Sequence, residues 1–141
     1  MRQQPVVIVM IEDDEGHARL IEKNIRRAGV NNEIKHFASG TEGLEHLFSA
    51  PVREGGPLLV LLDLNLPDMQ GVDILARLKS DEKLKRTPVV VLTTTDDQRE
   101  VQRCYDLGCN VYITKPVEYE SFAQAIRQLG LFLTVMQVPE A

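Results

Sequence analysis

Four apolar runs restrict this chain to very few folds. Residues 6–11, 58–62 and 89–92 are apolar at every position, and a shorter, weaker run covers 111–113. A strand with one face in water alternates polar and apolar residues, because successive side chains point to opposite faces. Runs that are apolar throughout are expected where helices cover both faces, as in a parallel sheet. Glu33, Ile34, Lys35, His36 and Phe37 alternate instead and suit an exposed edge strand. The longest runs then belong at the centre of the sheet.

Between these runs the apolar spacing becomes helical. Leu20, Ile21, Asn24, Ile25 and Ala28 form a stripe that stops at Gly29, a C-cap signal. Residues 43–47 support a short second helix, with Ser39 or Thr41 as its N-cap. Val72, Leu75, Ala76 and Leu78 mark a third, Val101, Tyr105 and Leu107 a fourth, and Phe122, Ile126, Leu129 and Leu133 a fifth. Strand and helix alternate five times. The expectation is an α/β fold, a doubly wound, five-stranded parallel sheet with right-handed crossovers. Residues 51–57 read as an inserted loop. The 141 residues fit one domain, read here as a single unit over 1–141.

Composition excludes several functions. The chain has 16 Lys plus Arg against 21 Asp plus Glu, a net charge of −5. Nucleic acid and anionic membranes both require a basic footprint, so neither is expected as the main partner. No apolar run reaches the ~20 residues that span a bilayer. Glu12, Asp13 and Asp14 stand where a signal peptide would be cleaved. Two cysteines, Cys104 and Cys109, build no disulfide framework, which points to a reducing cytoplasm.

In an open parallel sheet, sites form beyond the carboxyl ends of the strands, where the strand order reverses. Glu12, Asp13 and Asp14 follow the first strand and Asp63 the third; Thr93, Thr94 and Thr95 follow the fourth, and Thr114 and Lys115 the fifth. Singly, most have an ordinary reading: an acidic helix start, a strand-end or N-cap threonine, an exposed lysine. Asp63 is harder to dismiss. It directly follows five apolar residues, so its carboxylate sits at the edge of the core and is desolvated unless partnered. Carboxylates that converge on one crevice repel each other unless a cation joins them, and hard oxygen ligands suit Mg²⁺. With Mg²⁺ and Lys115 nearby, Asp63 could accept a phosphoryl group, and a threonine hydroxyl could bond one of its oxygens.

Four segments carry a resemblance: Ile11-Glu12-Asp13-Asp14; Leu62-Asp63-Leu64-Asn65-Leu66-Pro67 with Gly71; Leu92-Thr93; and Tyr112-Ile113-Thr114-Lys115-Pro116. In order and spacing they resemble the receiver domain of two-component response regulators, over residues 5–130. The resemblance implies a flavodoxin-like (βα)5 fold with strand order 2-1-3-4-5. It implies Asp63 as the phosphoacceptor, with Mg²⁺ held by Glu12, Asp13, Asp63 and the backbone carbonyl of Asn65. It implies Lys115 paired with the phosphoryl oxygens, Thr93 as the switch hydroxyl and Tyr112 as the aromatic that reorients with it. The implied donor is a histidine kinase or phosphotransfer protein. The response is a population shift on the face made by the fourth helix, fifth strand and fifth helix. Such a chain catalyses only its own phosphorylation and dephosphorylation. Glu12 replaces an aspartate found in many members, and Thr94 stands where a small residue is usual. The branched Thr94 side chain is expected to restrict water or a phosphatase at the phosphorylation site.

Two rivals lie outside this family. A Mg²⁺-dependent aspartyl-phosphate hydrolase uses a second aspartate two positions after the nucleophile; here that position is Asn65, which cannot shuttle a proton. A flavodoxin-like cofactor binder needs a phosphate-cradling loop after the first strand, where Glu12, Asp13 and Asp14 would repel phosphate. His17, His36 and His46 lack metal-ligand spacing. Within the family, nothing resembling an output domain follows the fifth helix, so signalling to an unknown downstream protein by contact is expected. A phosphorelay intermediate or phosphate sink is the alternative.

Phe122, Ile126, Leu129, Leu133 and Met136 make one helical stripe, and Leu131, Phe132, Val135 and Val138 lie off it. An extension over about 130–138 that is apolar all round is expected to be buried on more than one side. The expectation is a homodimer through this extension, with Val101 and Tyr105 on the same contact surface. Such an extension, together with residues 104–110, resembles the small receivers paired with phytochrome-type sensor kinases.

Overall fold

A computed structural model describes residues 5–116 and 118–128. Among them the chain runs β1 (Val7–Ile11), α1 (Glu15–Arg27), β2 (Ile34–Phe37), α2 (Gly40–Leu47), α3 (Ala50–Arg53), β3 (Leu58–Leu62), α4 (Gly71–Ser80), β4 (Val89–Thr93), α5 (Gln98–Leu107), β5 (Val111–Thr114) and α6 (Tyr119–Gln128). The strands pair in parallel in the order β2-β1-β3-β4-β5. The expected doubly wound α/β fold with order 2-1-3-4-5 is therefore present. No helix among the described residues is long and apolar enough to cross a membrane.

The register explains the unbroken apolar runs. Ile8, Met10, Leu59, Leu61, Val90 and Leu92 enter a core with Ile21 and Ile25 of α1 and Phe122 of α6. Their neighbours Val9, Ile11, Val60, Leu62, Val89 and Val91 enter the opposite core with Leu44 and Leu47 of α2, Leu75 and Leu78 of α4 and Cys104 of α5. One strand thus feeds both cores. Each fully buried aliphatic side chain contributes roughly 1.5–3 kcal/mol, so a polar residue at any of these positions is costly. The alternating β2 is an edge strand and half-buried, as its sequence anticipates.

Helix ends follow local chemistry. Asp14 caps α1 by accepting from the His17 N–H, and Ser39 caps α2 by accepting from the Glu42 N–H. Past the end of α1, Gly29 adopts φ 89°, a left-handed conformation that glycine takes without a Cβ penalty.

Two expected helical stripes each contain a residue that faces out. In α1, Ala18, Ile21, Asn24 and Ile25 point inward, and Leu20 is 43% exposed. In α5 the inward residue is Cys104; Tyr105 is 44% exposed, and Val101 and Leu107 are half-buried. A single step along a helix turns a side chain by about 100°, so the neighbour of an inward residue faces out. Residues 51–57 are also not wholly a loop. Ala50–Arg53 forms the one-turn helix α3, with Pro51 in its first turn, where a missing N–H costs no hydrogen bond. The apolar segment at 130–138, with Leu131, Phe132, Val135 and Val138, lies outside the described residues.

The loop after β3 is held from two sides. Asp68 accepts from the Gly40 N–H at 2.9 Å, the Thr41 N–H at 2.7 Å and the Thr41 hydroxyl, tying the loop to the start of α2. These donors hold its carboxyl at about 2. At the other end, the Gly71 N–H donates to the Leu64 carbonyl at 2.8 Å. A Cβ on Gly71 would stand 2.3 Å from the Asp63 carbonyl oxygen and 2.6 Å from the Leu64 Cα. Both are backbone atoms in the strand-to-loop transition and cannot swing aside.

Gly71→Ala is therefore expected to destabilise the fold by about 2–3 kcal/mol, read by urea denaturation. Asp68 makes a pH-dependent contribution. Its unfolded carboxyl titrates near ~4, so the contribution is complete above that pH and is lost as pH falls toward the folded value of about 2. Asp68→Asn should lower the melting temperature at neutral pH, with the gap to wild type narrowing on acidification. A gap independent of pH would contradict the role of the carboxylate.

Candidate functional site

The strand order reverses between β1 and β3: from β1 the chain moves out to β2 and returns on the other side to β3. The Asp63 N–H donates to the Ile11 carbonyl at 3.0 Å, extending the ladder one residue beyond the strands. This bond sets Asp63 beside Glu12 at the reversal point. Glu12 is 2% exposed and Asp63 6% exposed, whereas Asp13 lies in solvent. One carboxylate oxygen from each of Glu12, Asp13 and Asp63 falls within 4.8 Å of the others. The three acids placed together by the sequence are together in space.

Lys115 reaches the cluster from β5. Its N–H donates to the Thr93 carbonyl at 2.8 Å, continuing the β4–β5 pairing past the strand end. Its ammonium donates to Glu12 Oε1 and lies 3.6 Å from Asp63 Oδ2. The following Lys115–Pro116 peptide is cis. Burial raises the Glu12 carboxyl above its ordinary value; the hydrogen bond from Lys115 opposes this and the charge of Asp63 adds to it. At about 5 Å and an effective dielectric near 20, two like unit charges repel by about 3 kcal/mol. One ammonium leaves the three carboxylates with two uncompensated negative charges. A divalent cation would remove them, and an all-oxygen carboxylate set fits the hard ion Mg²⁺.

Hydroxyl and amide groups close the far wall. Thr93, at the end of β4, is fully buried, and its hydroxyl accepts from Asn65 Nδ2 at 3.4 Å. The Asn65 N–H in turn faces Asp63 Oδ1 at 3.4 Å. Thr94 is exposed and lines a cavity of about 210 Å³ with His17, Leu20, Ile21, Lys115 and Pro116. Asp13, Asn65 and Thr95 border a larger cleft of about 660 Å³. The Tyr112 hydroxyl donates to the Thr95 carbonyl at 2.7 Å, and burial pushes its phenol up to about 12. On the outer side, the Tyr112 N–H donates to the exposed Tyr105 hydroxyl at 3.1 Å.

Glu12, Asp13, Asp63, Asn65, Thr93 and Lys115 thus meet at the carboxyl edge. Thr94 and Tyr112 flank them, and Val101 and Tyr105 lie on α5, outside the cluster. His17 was missed as a site residue. It has no metal-ligand spacing, yet its Nδ1 lies 3.1 Å from the Lys115 ammonium. The available signal was its place in the first turn after the Asp14 cap, directly beyond the acidic end of β1.

The pattern of the response regulator receiver domain family matches residues 8–127. A receiver domain from Rhodospirillum rubrum, known from its crystal structure, is 68% identical; the match covers 96% of this chain and 99% of that one, with TM-score 0.77. Response regulator Rcp1 of Synechocystis sp. is 32% identical over 97% of this chain and 95% of its own, and a crystal structure of Rcp1 contains Mn²⁺. The bacteriophytochrome response regulator RtBRR is 34% identical over 97% of this chain and 85% of its own, with TM-score 0.83. With a family pattern over most of its length, a five-stranded parallel sheet in the same order and an acidic pocket at the strand ends, the chain belongs to the response regulator receiver domains of two-component signalling.

Proposed function

We propose that the chain is a response regulator receiver that accepts a phosphoryl group on Asp63 in a Mg²⁺-dependent reaction. The observation that carries this reading is the convergence of Glu12, Asp13, Asp63 and Lys115 at the strand-order reversal. An Asp63 oxygen attacks phosphorus as the phosphorus–nitrogen bond of a phosphohistidine donor, protonated on its other ring nitrogen, breaks; this leaves an acyl phosphate on Asp63 and a neutral imidazole on the donor. Glu12, Asp13, Asp63 and the Asn65 backbone carbonyl would hold Mg²⁺, which when bound offsets charge on the phosphoryl oxygens. Lys115 offers its ammonium to the same oxygens, and the Thr93 hydroxyl bonds another. Asn65, two positions after Asp63, holds no proton to relay to water, which disfavours a phosphatase. Thr94, which lines the cavity beside Lys115, is the residue that would restrict water or a phosphatase near the phosphorylated site.

The readout passes through Thr93 and Tyr112 toward the face of α5, β5 and α6. Its support is the chain of hydrogen bonds from Asn65 to Thr93 and from Tyr112 to the loop after β4. The donor is a sensor histidine kinase, and likeness to RtBRR favours a phytochrome-type one. A relay intermediate or phosphate sink uses the same chemistry without a dedicated target. Two cysteines that build no disulfide framework favour a reducing compartment, the cytoplasm. The apolar residues Leu131, Phe132, Val135 and Val138, with Val101 and Tyr105, make a homodimer the favoured assembly.

Incubation with Mg²⁺ and acetyl phosphate should add one phosphoryl group by intact mass, and Asp63→Asn should abolish the adduct. An adduct that survives Asp63→Asn would overturn the assignment. Asp13→Ala should weaken Mg²⁺ binding at least ~10-fold by calorimetry, since loss of outer-shell partners alone costs that much. In sedimentation, the full chain should run as a dimer and a truncation after Gly130 as a monomer; two monomers would remove the dimer.

A further inference from the structure

An ammonium has three N–H donors and no acceptor. In Lys115 one donor goes to Glu12 Oε1, and Asp63 Oδ2 stands within reach at 3.6 Å. A further donor meets His17 Nδ1 at 3.1 Å. Because the ammonium can only donate, Nδ1 must present its lone pair, which places the ring proton on Nε2. The same Nδ1 is 3.9 Å from Glu12 Oε2, too far for a hydrogen bond, so the two side chains are joined through Lys115. The backbone of His17 is anchored as well. The His17 N–H donates to Asp14 Oδ1 at 2.9 Å, the capping bond that fixes the first turn of α1.

Glu12 has two demands on it. It is the hydrogen-bond partner of Lys115 and a member of the acidic cluster that fits Mg²⁺. A carboxylate committed to a divalent cation binds an ammonium less well, so Lys115 then needs an acceptor outside the cluster. His17 supplies one that carries no negative charge, and so orients the ammonium without neutralising it. Without the ring, the lysine would border an enlarged cavity between α1 and Pro116. We infer that His17 is a positioning residue that holds the Lys115 ammonium toward the phosphoryl group through Nδ1. This rests on the reading of Asp63 as the phosphoacceptor.

The test uses the full chain, with acetyl phosphate and Mg²⁺, and measures the initial rate of adduct formation on Asp63. His17→Ala should lower the rate about 5- to 10-fold, the effect of one charge-assisted hydrogen bond. His17→Asn, which can offer an amide oxygen near the position of Nδ1, should restore most of it. In a Lys115→Ala background, His17→Ala should add no further loss. Mg²⁺ affinity by calorimetry and the urea midpoint should change little, because no cluster ligand is touched. An unchanged rate in His17→Ala, an equal loss in the Lys115→Ala background, or a matching loss of Mg²⁺ affinity would each overturn the role. If wild type forms no Asp63-dependent adduct, the underlying assignment fails instead, whatever His17 does.

Discussion

The arrangement at the carboxyl edge depends on one backbone relation, the parallel register of β1 and β3. Ile11 pairs with Leu62, and the next N–H, that of Asp63, bonds the Ile11 carbonyl. A slip of one residue would turn every side chain of a strand to the other face. Here β1 and β3 are buried on both faces, so a slip would also carry Asp63 into an apolar core. The two cores therefore hold the carboxylates at the edge of the sheet. The loop beyond is held by the Asp68 bonds to α2 and by the close approach of Gly71 to Asp63.

This framework creates an electrostatic imbalance that the chain alone does not resolve. Two nearly buried carboxylates and one exposed one face a single ammonium. A site left two charges short is suited to a divalent cation and, with it, an anionic phosphoryl group. Lys115 takes a position between competing acceptors, and motion of so small a group changes the balance of the whole cleft. Thr93, Asn65 and the loop bonded by Tyr112 are close enough to respond. The outer face of α5 and β5 is thus linked by hydrogen bonds to the acidic edge.

Much of this was legible before the fold was known. Unbroken apolar runs announced a sheet covered on both sides, and the residues just past them named the acidic cluster, Thr93 and Lys115. What failed was phase and long-range contact. Leu20 belongs to the expected inward stripe of α1 yet faces out, because a helix with several apolar residues offers more than one stripe and packing selects Ala18. The α3 turn was hidden because Pro and Gly mark both loops and helix starts. His17 carried no motif. Its role depends on Lys115, 98 residues further along the chain, reaching the first turn of α1.

By itself the sequence determined the fold class, the family and the residues at the ends of the strands. Local chemistry suffices there, since strand periodicity, caps and the order of the motifs are properties of short segments. Only the tertiary structure decided which side chains share protons and charge. That Glu12 is bonded to Lys115, and that Lys115 is also bonded to His17, follows from the packing that brings the end of β5 to the end of β1 and the first turn of α1. Electrostatic energy varies with separation in space, and no spacing along the chain encodes that separation.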